Sequence, residues 1–128
     1  MAQAARQELA ETGLTVVVAG GLIGVPRLRR FVLERGSDAT APFHLLVNLD
    51  GTGSCLVVCD ADVLWPEYAA EVRALAGHAG ASAVLAIVTP RPGMLTANLV
   101  APLIVDLASG AARQLVVEGA ALSTRQRL

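Results

Sequence analysis

The chain has 128 residues, the size of one ordinary domain, of which 54% are apolar, 3% aromatic and 16% charged. Its net charge is −1 and all ten basic residues are arginine, so the basic stripe with which nucleic-acid-binding proteins hold phosphates is not expected. Residues 1–13 lack the apolar core of a signal peptide, and the longest uncharged run, Ala74–Pro90, is too short and too polar to span a membrane. We therefore predict a soluble, cytoplasmic protein with an aliphatic core.

The predicted elements are mainly short strands separated by closely spaced turns. The alternation is clearest at Phe43–Asp50, where Phe43 and Leu45 lie on one face and His44 on the other, polar one. Such a series favours a mainly β protein, a small antiparallel β-barrel-like domain. Strands are predicted at Leu14–Val18, Leu28–Glu34, Phe43–Asp50, Ser54–Asp60, Ser82–Thr89, Leu95–Leu107 and Arg113–Glu118, with hairpin turns at Asp50–Gly53 and Ser109–Gly110.

One short helix is predicted to cap this domain. Tyr68, Val72 and Leu75 have the i, i+4, i+7 spacing of one helix face, and Gly77 is a C-cap, which places the helix at 67–76. The opening of this segment could equally extend the preceding strand. Residues 1–13 are interpreted as an N-terminal arm that is at most partly ordered, and residues 14–128 as a single β domain.

The run from Val16 to Gly24 has a strand entering a glycine turn, as in a dinucleotide fingerprint. That fingerprint also needs a helix N-terminus to receive the pyrophosphate, whereas Pro26 and a strand-like pattern follow here. A small-ligand or nucleotide-binding module using the Gly20–Gly24 loop is therefore the alternative hypothesis, and a strand-to-strand loop is favoured.

No cluster of side chains indicates catalysis, a metal or a cofactor. The two histidines lack neighbouring ligands at zinc spacing, and Asp60-Ala61-Asp62 is better explained as a cap of the following turn. Cys55 and Cys59 lie on one strand about 13 Å apart, too far for a disulfide, and are interpreted as two buried structural thiols. Arg27, Arg29 and Arg30 are interpreted as a solvated edge. We therefore expect a protein that is not an enzyme.

The most informative segment is Met94–Asp106, an aliphatic run interrupted by Thr96, Asn98 and Pro102. Because proline donates no ladder hydrogen bond and clashes within a helix, a bend or bulge in an edge-like strand is predicted. Thr96 and Asn98 project to the same side. They either satisfy backbone groups freed near Pro102, the favoured interpretation, or contact a partner.

Further candidates for protein binding lie where the fourth predicted strand meets the helix. Leu64, Trp65 and Tyr68 are close together there, and large aromatic rings dominate binding hot spots. Core packing is the alternative for each ring. The candidate protein-binding residues are thus Leu64, Trp65, Tyr68, Thr96 and Asn98.

The order of these segments resembles the flagellar assembly factor family FliW over about residues 14–128. The Thr-x-Asn-Leu-x-Ala-Pro run at Thr96–Pro102 is the specific motif, and the other segments contribute through their order. They are Gly21–Val25, Pro42–Leu46, Cys55–Asp60, Glu67–Tyr68, Ala86–Thr89 and Arg113–Glu118.

The resemblance implies a cytoplasmic protein that binds newly made flagellin. Once flagellin is exported, the freed protein binds the RNA-binding regulator CsrA and relieves its repression of flagellin translation. The expected partners are thus flagellin and a CsrA-type regulator, with no direct contact to nucleic acid or membrane, no cofactor and no metal. A monomer is expected.

Overall fold

The protein is described by a computed structural model over residues 13–35, 41–51, 54–78, 81–119 and 122–128. Within these ranges it has eight strands and two helices. The strands are β1 (Leu14–Val18), β2 (Arg30–Arg35), β3 (Phe43–Asn48), β4 (Cys55–Asp60), β5 (Ser82–Arg91), β6 (Met94–Asp106), β7 (Ala111–Gln114) and β8 (Gln126–Arg127). The helices are α1 (Ala61–Leu64) and α2 (Pro66–Ala76).

Seven strands close into a barrel. The order is β5-β4-β3-β2-β1-β7-β6, and β6 pairs again with β5, while β8 adds to the first half of β6. All pairs are antiparallel except β1 with β7, where Val17 and Val18 run parallel to Ala111 and Ala112. The predicted mainly β, barrel-like domain with a helical cap is confirmed. It differs from the prediction of a purely antiparallel sheet in the one parallel pair, β1 with β7.

Two apolar cores lie on opposite sides of the barrel wall. The inner core fills the barrel and includes Phe31, Leu46 and Leu103. The outer core lies between α2 and the outer surface of the strands and includes Tyr68 and Val72. Strands β4 and β5 contribute to both cores with alternate residues, such as Val58 in the inner core and Cys59 in the outer one.

The two cysteines differ in burial. Cys59 lies in the outer core, and this burial, with a smaller contribution from Asp60, raises the pKa of its thiol to about 11. Cys55 is exposed at the start of β4, so the prediction of two buried thiols was wrong for it. The first residue of a strand is not covered by the helix that packs on the strand's far end. Both thiols are free, as the spacing required.

Strand β3 turns its predicted polar face into the barrel. Leu46 and Asn48 are buried, whereas Leu45 and Leu49 on the alternate face are among the exposed side chains. Asn48 is satisfied locally, because its Oδ1 atom accepts a 2.5 Å hydrogen bond from the Asp50 backbone N–H. The interpretation of this face as the polar one was therefore wrong, because it is the covered face of β3.

The helices begin and end at residues with clear local reasons. The Asp60 side chain accepts a 3.0 Å bond from the Asp62 N–H and caps α1, as predicted for Asp60-Ala61-Asp62. Pro66 begins α2, since its missing N–H needs no partner there, and Gly77 ends it at φ 64°. Leu75 is 67% exposed, so the predicted apolar face includes Tyr68 and Val72 but not Leu75.

Two predictions fall outside these ranges in whole or part. The N-terminal arm of residues 1–13 lies almost entirely outside them, as do Thr52 and Gly53 of the predicted Asp50–Gly53 turn.

The Ser109–Gly110 turn does join β6 to β7. The strand predicted at Arg113–Glu118 lies earlier, at Ala111–Gln114, because the chain beyond it leaves the ladder and follows β6 irregularly.

Candidate protein-binding site

The central feature of β6 is a large bulge. Leu85 pairs with Leu103 and Ile87 with Asn98, so the single residue Ala86 of β5 lies opposite residues 99–102 of β6. We refer to residues 99–102 as the bulge. A bulge removes residues from the ladder, and their backbone groups must then find other partners.

Asn98 satisfies two of these groups. Its Oδ1 atom accepts hydrogen bonds from the Val100 N–H at 3.0 Å and the Ala101 N–H at 3.2 Å. Pro102 has no N–H to satisfy, and its fully buried ring fills space in the core. Asn98 and Pro102 thus together leave no backbone N–H group at residues 100–102 without a hydrogen-bond partner. This agrees with the favoured interpretation of Asn98. Whether Asn98 also contacts a partner stays a prediction.

The remaining backbone groups of the bulge are bonded to three other parts of the chain: helix α2, residues 114–117 and Ser123. The Leu99 carbonyl accepts from the Tyr68 hydroxyl at 2.5 Å, and the Ala101 carbonyl accepts from Gln114 Nε2 at 2.9 Å. Backbone partners complete the set: Ser123 O for the Leu99 N–H, Val117 N–H for the Val100 carbonyl, and Leu115 N–H for the Pro102 carbonyl.

Thr96 is a buried structural residue in this arrangement. It is 2% exposed, and its hydroxyl accepts from Arg91 Nε at 3.0 Å and donates to the Thr89 carbonyl at 3.4 Å. These bonds hold the strand ends near the β5–β6 turn. A direct partner contact by Thr96 would need this local structure to open.

The three candidates near the helices are in different environments. Leu64 is 36% exposed, Trp65 is partly buried against the outer core, and Tyr68 belongs to that core. Burial raises the pKa of the Tyr68 hydroxyl, with a smaller contribution from Cys59, which keeps the group a donor for Leu99. Leu64 and the exposed part of Trp65 are therefore the members that a partner reaches without rearrangement.

Sequence reasoning missed Gln114, which connects the bulge to the loop between β1 and β2. Its Nε2 atom donates to Ala101 O, and its Oε1 atom accepts from the Ile23 N–H at 2.8 Å. No periodicity or motif marks a lone glutamine as a connector. Its role depends on two segments that are distant in sequence.

The Arg73–Asp62 pair was also missed. The guanidinium makes two bonds to the Asp62 carboxylate, at 2.5 and 2.7 Å, and two to Ser82, at 2.7 Å to the hydroxyl and 2.9 Å to the carbonyl. Its hydrogen bonds hold the pKa of Asp62 below its usual value against partial burial. The pair ties α1, α2 and the start of β5 together.

The glycine loop is a strand-to-strand connection. After β1 the chain turns at Gly20 and Gly21, both with positive φ, and enters the antiparallel strand β2. In residues 13–35, which are described without a gap, no helix follows the glycines. The alternative of a nucleotide-binding module built on Gly20–Gly24 therefore lacks the helix terminus that its chemistry needs.

The two histidines lie in different surroundings. His78 Nε2 lies 3.2 Å from Asp106 Oδ2 in an open cleft of about 270 Å³ beside Arg113, and His44 has a pKa lowered mainly by burial. In the part of the chain that the structure describes, no group of three or more His, Cys, Asp or Glu side chains is placed to hold a metal ion. Over the same part, no helix is long and apolar enough to cross a membrane.

Together these features define a helix-capped β-barrel domain whose motif residues support an unusual strand bulge. Comparison with known proteins places it more closely: the chain belongs to the FliW protein family, whose model matches residues 2–128. It is 32% identical over 123 residues to the flagellar assembly factor FliW of Geotalea uraniireducens (strain Rf4), covering 90% of this chain and 74% of that one. A crystal structure of the flagellar assembly factor FliW matches with a TM-score of 0.69 and 21% identity, over 88% of this chain and 84% of the other.

Proposed function

We propose that this protein is a non-enzymatic flagellar assembly factor that binds flagellin in the cytoplasm and antagonises a CsrA-type translational regulator. The observation that carries the proposal is family membership over nearly the whole chain, together with a relative at 32% identity that is named a flagellar assembly factor. In this role the protein is a chaperone-like partner of flagellin and, when released, a regulator of its translation.

The fold supports a role exerted through the surface. The polar side chains of Asn98, Thr96 and Gln114 form hydrogen bonds with the backbone of the protein itself. Apolar side chains such as Leu64 and Val63 remain exposed on a framework tied by hydrogen bonds and an ion pair. Rigid presentation of exposed side chains favours binding, because less conformational freedom is lost on association.

A switch between two partners requires that their binding is coupled. If flagellin and the regulator bound independently, export of flagellin would not change the fraction of protein bound to the regulator. We therefore propose that each partner weakens the binding of the other, through overlapping surfaces or through two states of the domain.

Isothermal titration of the protein against the flagellin and the CsrA-type regulator of its own organism tests the proposal. We expect micromolar or tighter binding to each, with each partner weakening the other, and a loss of regulator–RNA affinity when this protein is added. If the protein bound only one of the two partners, its function would be limited to binding that partner. Binding to neither, or an unchanged regulator–RNA affinity, would contradict the proposal.

A further inference from the structure

The loop between β1 and β2, residues 19–29, is held firmly by its own backbone. The Leu22 N–H bonds the Leu28 carbonyl at 3.0 Å, and within that turn Val25 bonds Leu22 at 3.0 Å and Leu28 bonds Val25 at 2.9 Å. Leu22 is buried in the inner core and anchors the loop. At Gly21 a Cβ atom would lie 2.0 Å from the Pro26 carbonyl oxygen, so this close approach requires glycine.

Two large apolar side chains project from this rigid loop. Ile23 is 53% exposed and Val25 is 37% exposed. The Ile23 N–H donates a 2.8 Å hydrogen bond to Gln114 Oε1, and Gln114 Nε2 donates to the Ala101 carbonyl in the bulge. Gln114 therefore links the loop to the bulge. Apolar side chains on an already ordered backbone lose little further freedom when a partner covers them, which favours binding.

The same loop carries two arginines that have no ion-pair partner among the described residues. Arg30 pairs with Asp50, whose carboxylate also accepts from the backbone N–H groups of Arg29 and Arg30 at 3.0 and 2.6 Å. The side chains of Arg27 and Arg29 are exposed and, across the described residues, form no ion pair. Two unpaired cations thus lie beside Ile23 and Val25 in a chain of net charge −1.

We propose that Ile23, Val25, Arg27 and Arg29 form a docking surface for an acidic segment of a protein partner, in which apolar side chains lie close to carboxylates. The apolar residues would cover Ile23 and Val25, and the carboxylates would pair with the two arginines. The inference rests on the proposed function, since it assigns this surface to one of that function's partners. Neither a tyrosine, a tryptophan nor a phenylalanine lies in the loop to stack on a base, so an RNA ligand is not favoured.

Charge reversal tests the polar half of the surface. The double variant Arg27→Glu, Arg29→Glu is compared with Arg125→Glu, Arg127→Glu, which changes the same charge at two exposed residues near the other end of the chain. By titration against flagellin and the regulator, we expect the first variant to lose about tenfold or more in affinity for one partner and the control about twofold or less. Raising the salt concentration should weaken the wild type more than the loop variant.

A second variant tests the apolar half without changing charge. Ile23→Ser keeps the backbone N–H that bonds Gln114, and Leu75→Ser is the control, since Leu75 is an exposed apolar residue on α2. We expect Ile23→Ser to weaken the same partner that the charge reversal affects, with thermal melting showing both variants folded.

The outcomes separate this inference from the proposed function. If the wild type binds its partners and both loop variants bind them equally well, the docking surface is wrong and the proposed function stands. If the wild type binds neither partner, both fall. The same variants are also titrated against RNA and against anionic lipid vesicles, and a loss of affinity confined to these ligands would exclude a protein partner at this surface.

Discussion

The hydroxyl of Tyr68 donates a 2.5 Å hydrogen bond to the carbonyl oxygen of Leu99, which joins helix α2 to the β6 bulge. The two residues are 31 positions apart, and both lie in the outer core. Because Leu99 lies in the bulge, its carbonyl oxygen has no partner in the ladder. The Tyr68 hydroxyl on the helix supplies the donor that this oxygen needs. The helical cap therefore contributes to the barrel wall as well as covering it.

Removing that donor tests the connection. Tyr68→Phe keeps the ring but leaves the Leu99 carbonyl buried without its partner, so we expect the free energy of unfolding to fall by about 1–3 kcal/mol. Urea denaturation measures the change. Glu67→Gln, at the exposed neighbouring position, is the control and should leave stability within about 0.5 kcal/mol. An unchanged midpoint for Tyr68→Phe would show that the bond contributes nothing.

The role of Asn98 is tested by two substitutions that differ in one property. Asn98→Ala removes the acceptor for the Val100 and Ala101 N–H groups, and we expect a loss of about 2 kcal/mol. Asn98→Asp keeps an acceptor oxygen, so it should lose less at neutral pH. Thermal or chemical unfolding of the pair provides the comparison, and equal losses would assign the role of Asn98 to its amide N–H₂ instead.

Trp65 is expected to contribute both to stability and to partner binding. Because it is only partly buried, Trp65→Ala should destabilise by less than the 3–5 kcal/mol typical of a fully buried tryptophan, about 2 kcal/mol, and leave the domain folded. Partner affinity measured well below the melting temperature then reports on binding. Unfolding of the variant at room temperature would place Trp65 in the core alone.

Acid should remove the stabilisation supplied by Asp50. Hydrogen bonds from the Arg30 side chain and from the Arg30 and Arg29 backbones hold its pKa at about 2, below the usual 3.8. A carboxylate with a lowered folded-state pKa stabilises above its unfolded-state pKa and loses that effect as pH falls through the folded one. The stability difference between wild type and Asp50→Asn should therefore be largest above about pH 4 and shrink towards pH 2. A difference independent of pH would contradict the assignment.

Strand β8 should protect the edge of β6. It pairs Arg127 with Thr96 and Gln126 with Ala97, and the Leu128 N–H bonds the Leu95 carbonyl at 3.1 Å. Deleting residues 124–128 exposes these backbone groups, and an open strand edge promotes pairing between chains. We expect concentration-dependent self-association in light scattering. Gln126→Ala with Arg127→Ala keeps the backbone bonds and should behave as the wild type, so association of both proteins would implicate the side chains.

Much of the fold was predictable from local patterns. Alternation located most strands to within a few residues, and β1 was predicted with its observed bounds, because a strand with one covered face needs a period of two. Gly77 marked the end of α2 through its own backbone preference, whereas the first residue, Pro66, lies one position before the predicted start. The Asn and Pro of the Thr96–Pro102 motif correctly indicated a bulge. The prediction that this strand is edge-like was wrong, because β6 pairs with β5 on one side and with β7 and β8 on the other.

The candidate site was less accessible to sequence reasoning. Gln114 has no local signature, because its two bonds go to a loop about 90 residues earlier and to a bulge on the neighbouring strand. The exposed Ile23 and Val25 looked like ordinary aliphatic residues in a glycine-rich turn. Only their exposure on a loop fixed by tertiary contacts distinguishes them.

The sequence by itself determined the class of domain, the positions of its elements and the irregularity in β6, since periodicity, proline and glycine act through neighbouring residues. Only the tertiary structure decided which face of β3 enters the barrel, that β1 and β7 pair in parallel, and which groups satisfy the bulge. Alternation separates two faces of a strand without saying which one is covered. That choice depends on contacts between segments far apart in the chain. In β3, burying Leu46 and satisfying Asn48 by its hydrogen bond to the Asp50 N–H stabilise the fold more than exposing Leu45 and Leu49 destabilises it.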